Sequence, residues 1–477
     1  MRAGPSWPAV AERLLFLTGH LAEARLRRLL DGLTDPGFAW RVQNVGVKVA
    51  ALMTEPILRR RLRRPLEADR VILPGRAGVD VAALSAEFGV TFMRGPEELA
   101  DLPAFLGFGA KPADLSRHDT RIFAEIVDAP MLSLDMLASR AAALRAEGAD
   151  VIDLGCRPGI AFAHLEQAVQ RLRTEGHRVS VDSGDPEELR RGARAGADFV
   201  FSLTEATLDI AAGTHAVPVL IPRTHGDLDS LMRAAELARA RGIACLLDPV
   251  LDPIHAGFTA SLVRYARLRE ALPDAELLMG TGNLTELTDA DSSGVTALLL
   301  GVCSELAIRN VLVVQVSPHT RRTVAEHDLA RRIMFAAHEN NDLPRGYAGG
   351  LLQVHDRRPF TAGVEDLAEQ AAAVRDANWR IAVAPDGIHA YNNHRHETGT
   401  EALAFFPALD VANDGAHAYY LGTELMKAET AWRLGKRYTQ DAQLDWGCAV
   451  PVEPRAAHRL AEAGHTLRAK HQDRDDT

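Results

Sequence analysis

Three aspartates close short apolar runs in the middle of the chain. Asp153 lies in DVIDLG, Asp182 in RVSVDS and Asp248 in ACLLDP. An ionised carboxylate offers two acceptor oxygens and no donor, so it suits a planar ligand edge with adjacent N–H groups, such as an aminopyrimidinone ring. The alternative is that these aspartates cap the helices that follow, as Asp182 before Pro186 could do. The residues alone leave both interpretations open.

Further polar residues follow the later apolar runs. Asn283 ends the segment GTGN, and its amide can both donate and accept, which fits polarisation of a ring nitrogen; the same segment is also ordinary turn chemistry. Asn283 and Arg223 are the candidate catalytic residues. Ser317, Arg321 and Arg322 are the candidate anion-binding residues, with surface arginines at a helix start as the alternative.

The sequence that contains these residues alternates predicted strands with predicted helices. Each apolar, β-branched run is followed by an Ala/Leu/Arg-rich stretch that is long enough for a helix. Eight βα units of this kind predict a (β/α)8 TIM barrel over residues 120–340, whose reactive groups gather at the carboxyl ends of its strands. The eight predicted strands are PMLSL, DVIDLG, RVSVDS, FVFSLT, VPVLIP, ACLLDP, ELLMGTGN and VLVVQVS.

The segments on either side of this barrel have their own patterns. Residues 1–119 alternate short strands with helices, which predicts an N-terminal Rossmann-like α/β domain that ends in a Pro/Gly-rich linker. Residues 341–455 combine strands, a His-rich loop and a long amphipathic helix, which predicts a C-terminal α+β domain. Residues 456–477 form a polar, charged tail.

The composition excludes several classes of protein. The 477 residues carry a net charge of −10 and are 47% hydrophobic, so there is no basic footprint for nucleic acid. No run reaches the roughly 18 apolar residues of a membrane span, and the first residues do not resemble a secretory signal. We therefore expect a cytoplasmic protein. The four cysteines are too widely spaced for a zinc site, and the His-rich loop has no i, i+4 pair with an acid, so we expect no metal site.

The barrel segments resemble a known family. The runs GADVIDLGCRPG, VSVDSGDPEELRRGARAGADFVFSLT and ACLLDPV are similar to the second, third to fourth, and sixth strands of the pterin-binding barrels of dihydropteroate synthases and pterin-dependent methyltransferases. The flanking segments RGPEELADLPAFLG and HAYYLGTELMKAETAWRLGKRYTQDAQLDWG resemble dihydropteroate synthase-related proteins of organisms that use tetrahydromethanopterin. The resemblance covers about half the chain.

This resemblance implies a set of ligand-binding residues. The pterin would be bound by residues at the strand ends, with Ser202 standing where the family usually has Asn. The implied set is Asp128, placed ahead of the first predicted strand, together with Asp153, Asp182, Ser202, Asp248 and Asn283. The implied ligand is a reduced pterin, either tetrahydromethanopterin or a precursor. Mg²⁺ is compatible with such a site, and no bound corrinoid is expected.

The barrel departs from a dihydropteroate synthase in one respect. All five lysines lie outside residues 120–340, whereas the family uses a lysine on strand seven, and Arg does not replace a compact or deprotonatable Lys at a tight site. Three functions therefore stay open: a transferase of tetrahydromethanopterin biosynthesis, a pterin-dependent methyltransferase or methyl carrier with a corrinoid partner, and a non-catalytic pterin-binding assembly subunit. A homodimer and a protein partner from one-carbon metabolism are compatible with each.

Overall fold

The computed structural model describes residues 12–33, 36–97, 99–108 and 114–451. These residues form two compact units. The first contains residues 12–108 together with Val354–Asp445, and the second contains Asp114–Gln353 together with Trp446–Pro451. The predicted polar tail, 456–477, and residues 109–113 of the predicted linker lie outside the described residues.

The N-terminal part of the first unit is a parallel four-stranded sheet with the strand order β2-β1-β3-β4. Strand β1 is buried along Leu14–Leu17, as expected for a parallel strand that is covered on both faces. Its elements are β1 (Glu12–Thr18), α1 (His20–Asp31), β2 (Phe38–Asn44), α2 (Glu55–Arg61), β3 (Arg70–Leu73), α3 (Val81–Phe88), β4 (Thr91–Arg94) and α4 (Leu102–Phe105).

The second unit is an eight-stranded, nearly closed parallel barrel. Its strands are β5 (Arg121–Ile126), β6 (Val151–Gly155), β7 (Arg178–Asp182), β8 (Phe199–Leu203), β9 (Val217–Leu220), β10 (Leu246–Leu247), β11 (Leu278–Gly280) and β12 (Asn310–Val313). Neighbouring strands pair in the order β10-β9-β8-β7-β6-β5-β12-β11. A single parallel bridge between Leu247 and Leu277 joins the two ends of this order. The predicted α/β barrel is therefore confirmed.

Helices surround this barrel and cover the outer faces of its strands. They are α5 (Leu134–Glu147), α6 (Leu165–Thr174), α7 (Pro186–Ala195), α8 (Leu228–Ala240), α9 (Phe258–Ala271), α10 (Gly282–Thr285), α11 (Ser292–Glu305) and α12 (Thr323–Glu339). Between β8 and β9 the described chain forms only a 3₁₀ turn, Leu208–Ile210. The expectation of a helix in every gap is therefore wrong at this crossover.

The first barrel strand differs from the prediction. The run PMLSL, from Pro130 to Leu134, is not a strand: it contains a 3₁₀ turn and Ser133, whose hydroxyl caps α5 by accepting from the Met136 N–H. The strand is instead β5, RIFAEI, whose side chains alternate between faces although Arg121 and Glu125 interrupt the apolar pattern. As a consequence Asp128 follows the first strand instead of preceding it.

The remaining part of the first unit is an antiparallel sheet, β13-β14-β15, with helices beside it. Its elements are α13 (Val364–Ala373), β13 (Arg380–Ala384), β14 (Gly387–Tyr391), β15 (His396–Gly399), α14 (Phe406–Leu409) and α15 (Gly415–Leu434). The inward stripe of α15, which includes Leu421 and Leu425, packs in one apolar cluster with Ile381 and Ile388. The amphipathic pattern of this helix is thereby explained.

Three further features of the described residues complete the description. No helix among them is both long and apolar enough to cross a bilayer. The four cysteines form no disulfide with one another. No group of three or more His, Cys, Asp or Glu side chains within the described part of the chain is arranged to hold a metal ion.

Candidate functional site

The interior of the barrel is apolar at one end and acidic at the other. Phe123, Val151 and Leu246 belong to one buried interior cluster. Because side chains two positions apart point to the same face of a strand, the next inward positions on these three strands carry Glu125, Asp153 and Asp248. The sequence therefore places carboxyl groups above an apolar floor, at the end of the barrel where the strands finish.

Asp182 ends β7 and is held by a hydroxyl from the next strand. The Ser202 hydroxyl donates to Asp182 Oδ1 at 2.7 Å. Ser202 reaches this position from a left-handed backbone, φ +61°, next to an irregularity in the pairing of β8 with β9. Asp182 does not cap α7, because that cap is Asp185, whose carboxylate accepts from the Glu187 N–H. The capping interpretation of Asp182 is therefore wrong.

Asp248 follows β10 and is anchored through one oxygen. Its Oδ1 accepts from the Tyr265 hydroxyl at 2.7 Å and from the Val250 N–H at 2.8 Å. Burial raises the pKa of Asp248 to about 6, against the two hydrogen bonds that lower it. The following helix α9 begins after Gly257, so Asp248 does not cap it.

Asp153 is the most deeply buried of the predicted residues, with 0% of its surface exposed. The Ser180 hydroxyl donates to Asp153 Oδ1 at 2.5 Å, while Oδ2 has no hydrogen-bond partner among the described residues. Burial, and then the charges of Asp182 and Glu125, raise the pKa of Asp153 well above its ordinary value. Burial therefore favours the protonated form of Asp153, and its Oδ2 is a buried polar atom without a partner among the described residues.

Glu125 belongs to this site but was missed by the sequence analysis. It lies beside Asp153 in the register of β5 with β6. Burial and the charge of Asp182 raise its pKa to about 7. A Cβ atom at Gly155 would lie 2.4 Å from Glu125 Oε1, so this glycine makes room for the carboxyl group. The alternation Phe123-x-Glu125 was the available signal, and the wrong choice of first strand hid it.

The four carboxyl groups form one electrostatic unit. The charge of Asp182 acts on Glu125, on Asp153 and on Asp248. Burial also raises the pKa of Asp182 itself, against the hydrogen bond from Ser202. Such a site favours a ligand edge rich in N–H donors, and burial favours the protonated forms of its carboxyl groups.

The candidate catalytic residues lie in other surroundings. The Asn283 amide donates to the Leu251 carbonyl at 2.8 Å, and this side chain is exposed. Arg223 is exposed and lies 3.8 Å from Glu205. Neither residue has a hydrogen bond to the four carboxyl groups among the described contacts.

Asp128 and two of the candidate anion-binding residues, Ser317 and Arg322, have partners in the structure. Asp128 pairs with Arg140 at 2.6 Å. Arg322 is engaged with Glu147 at 2.5 Å, and the Ser317 N–H donates to Glu286. A cleft of about 200 Å³ is lined by residues that include Asp128, Arg140, Gln315, Arg321 and Glu125. Arg321 is therefore the predicted cation that shares a cleft with Glu125 of the acidic site.

Comparisons with known proteins give a limited result. The model of DUF6513, a family of unknown function, matches residues 12–97. An uncharacterized protein of Methanocaldococcus jannaschii is 25% identical over 528 aligned residues, which cover 91% of this chain and 99% of that protein.

Solved structures of dihydropteroate synthases match about half of the chain. The enzyme of Yersinia pestis with a pterine-sulfa conjugate matches with a TM-score of 0.38 and 19% identity, over 47% of this chain and 96% of that one. The 7,8-dihydropteroate synthase of Vibrio fischeri matches with a TM-score of 0.37 and 18% identity, over 47% and 94%. At these values the similarity assigns no ligand, so the function has to be argued from the residues of the barrel.

Proposed function

We propose that the barrel binds a reduced pterin between Asp182 and Asp248, and that the protein acts in tetrahydromethanopterin biosynthesis or in one-carbon metabolism linked to that cofactor. One observation carries the proposal. Two half-buried carboxylates at strand ends are each held by protein donors through Oδ1, and they lie close enough for the charge of one to affect the pKa of the other.

The chemistry of a pterin matches this arrangement. Its aminopyrimidinone edge presents adjacent N–H donors, for which ionised carboxylates are the complementary acceptors. Because Oδ1 of each aspartate is already held in place, less side-chain freedom is lost when a ligand binds. Burial raises the pKa of Asp153 and so favours a protonated carboxyl beside these two aspartates.

The pathway assignment rests on sequence. The barrel motifs resemble the pterin-binding barrels of dihydropteroate synthases and pterin-dependent methyltransferases, and both flanking segments resemble dihydropteroate synthase-related proteins of organisms that use tetrahydromethanopterin. A reduced pterin would be substrate or ligand, and the barrel chemistry would be that of a transferase.

The missing barrel lysine keeps an alternative in place. The alternative is a methyl carrier with a corrinoid partner, or a non-catalytic pterin-binding subunit. Either would need Asp182 and Asp248 to bind the pterin but would need no cation beside it. Release of pyrophosphate from a pterin-methyl diphosphate and an arylamine would favour the biosynthetic transferase. Loss of cellular tetrahydromethanopterin on gene deletion would exclude a role confined to one-carbon transfer.

A fluorescence titration with 6-hydroxymethyl-7,8-dihydropterin tests the binding site. Asp182→Asn and Asp248→Asn should each weaken binding by about 10- to 100-fold. The amide introduced by each change can place its own N–H donors against the N–H donors of the pterin edge. Asp119→Asn is the matched control, since Asp119 is exposed and pairs with Arg309 just before β5, at the opposite end of the barrel. Equal affinity in all four proteins, or no binding by the wild type, would show that this site is not a pterin site.

A further inference from the structure

One buried side chain beside the site comes from a helix and not from a strand. Tyr265 lies on α9 with 0% of its surface exposed, within the apolar cluster around the barrel. A phenol in such surroundings requires a hydrogen-bond partner, because an unpaired buried hydroxyl is destabilising. Its partner is Asp248 Oδ1, at 2.7 Å.

The same oxygen receives a second donor from a strained backbone. Val250 has φ +68°, a left-handed conformation that is rare for a β-branched residue, and its N–H donates to Asp248 Oδ1 at 2.8 Å. Both donors therefore converge on one oxygen of the carboxylate. Asp248 Oδ2 receives no hydrogen bond among the described contacts.

We propose that Tyr265 is a positioning residue of the barrel site: with the Val250 N–H it fixes Asp248 so that Oδ2 faces the ligand. This inference rests on the proposed pterin-binding function. Tyr265 acts through Asp248 and does not itself touch the ligand.

The hydrogen bond also controls the charge of Asp248. Burial, together with the charge of Asp182, raises the pKa of this carboxyl to about 6, whereas Tyr265, the Val250 N–H and Arg264 oppose this shift. Burial and the Asp248 charge raise the pKa of the Tyr265 hydroxyl well above its ordinary value, and Cys303 of α11 adds to this. Tyr265 therefore remains a hydrogen-bond donor in the neutral range, and its hydrogen bond favours the ionised form of Asp248.

Tyr265→Phe removes the hydroxyl and keeps the ring. Loss of a hydrogen bond to a charged group should raise the pKa of Asp248 by about one to two pH units. The affinity for 6-hydroxymethyl-7,8-dihydropterin should then fall about 2- to 10-fold at pH 7, in proportion to the ionised fraction, and recover to within about twofold at pH 9. Tyr347→Phe, in the same unit but with its hydroxyl near Asn340, should leave the pH profile unchanged.

Two results would overturn the inference while leaving the pterin site intact. One is an affinity that does not change in Tyr265→Phe at any pH. The other is a loss that is uniform from pH 6 to pH 9, which is the signature of packing damage alone.

A measurement without ligand separates this inference from the proposed function. If Tyr265 stabilises the ionised form of Asp248, the difference in unfolding temperature between wild type and Tyr265→Phe should widen from pH 5 to pH 8. A constant difference would contradict the role of Tyr265 even if no pterin binds. Absence of pterin binding by the wild type together with a widening difference would instead refute only the proposed ligand.

Discussion

The stability of the Glu125→Gln variant relative to wild type should increase as the pH rises. Burial and the charge of Asp182 raise the pKa of Glu125 from 4.5 to about 7. A carboxyl with a raised pKa contributes its stability below the unfolded-state value and loses it as the pH rises through the folded-state value. Glutamine has nearly the same size and does not ionise, so this loss should be absent from the variant.

The size of the effect follows from the pKa of Glu125. Each pKa unit corresponds to about 1.4 kcal/mol, so the interval between the two values gives an upper limit of about 3 kcal/mol in unfolding free energy. Because Glu125 shares its proton with Asp153 and Asp182, we expect about 2 kcal/mol of relative stabilisation between pH 5 and pH 8.5.

Hydrogen exchange followed by mass spectrometry is the suitable assay, because it reports the opening free energy of peptides from β5 to β7 separately from the other unit. Glu286→Gln provides a control of opposite sign. Burial favours a higher pKa for Glu286, but hydrogen bonds from Ser317, Thr320 and the Val316 N–H outweigh it and lower the pKa. The stability that Glu286 contributes is present above its unfolded-state pKa and is lost as the pH falls. Glu286→Gln should therefore lower the unfolding free energy most at high pH.

One result would refute this reasoning. If the opening free energies of wild type and Glu125→Gln differ by the same amount at pH 5 and pH 8.5, Glu125 does not titrate in that interval. The acidic site would then not hold an exchangeable proton near neutral pH.

Two further predictions concern residues that shape the barrel. Arg331 is 2% exposed and holds Asp328 at 2.6 Å, so Arg331→Ala should cost about 3–5 kcal/mol of barrel stability in urea, since it leaves buried charge uncompensated. Arg309→Ala, at an exposed ion pair, should cost less than about 1 kcal/mol. Gly155→Ala should cost about 1–3 kcal/mol by crowding Glu125 Oε1. The double variant with Glu125→Ala should recover part of that loss, and an additive loss would contradict the assigned contact.

The barrel and three of its carboxyl groups were predictable from sequence for a simple physical reason. Parallel strands covered on both faces are continuous apolar runs, and the polar residue that closes such a run lies at the barrel mouth. This places Asp153, Asp182 and Asp248 at one end of the barrel without any knowledge of contacts.

The rest of the site depends on tertiary context. Glu125 lies inside a strand, where a charged residue breaks the apolar pattern from which strands are predicted. Tyr265 comes from a helix, and no spacing rule distinguishes a buried phenol that meets a carboxylate from one that only packs. The left-handed backbones of Ser202 and Val250 leave no trace in the sequence, because neither residue is a glycine.

The most direct test of the central claim is a crystal structure of the protein with bound 6-hydroxymethyl-7,8-dihydropterin. We expect the aminopyrimidinone edge to lie within hydrogen-bond distance of Asp182 and of Asp248 Oδ2, with the Tyr265 and Val250 donors still on Oδ1. A pterin bound elsewhere in the molecule, or an acidic site that stays empty at saturating ligand, would contradict it.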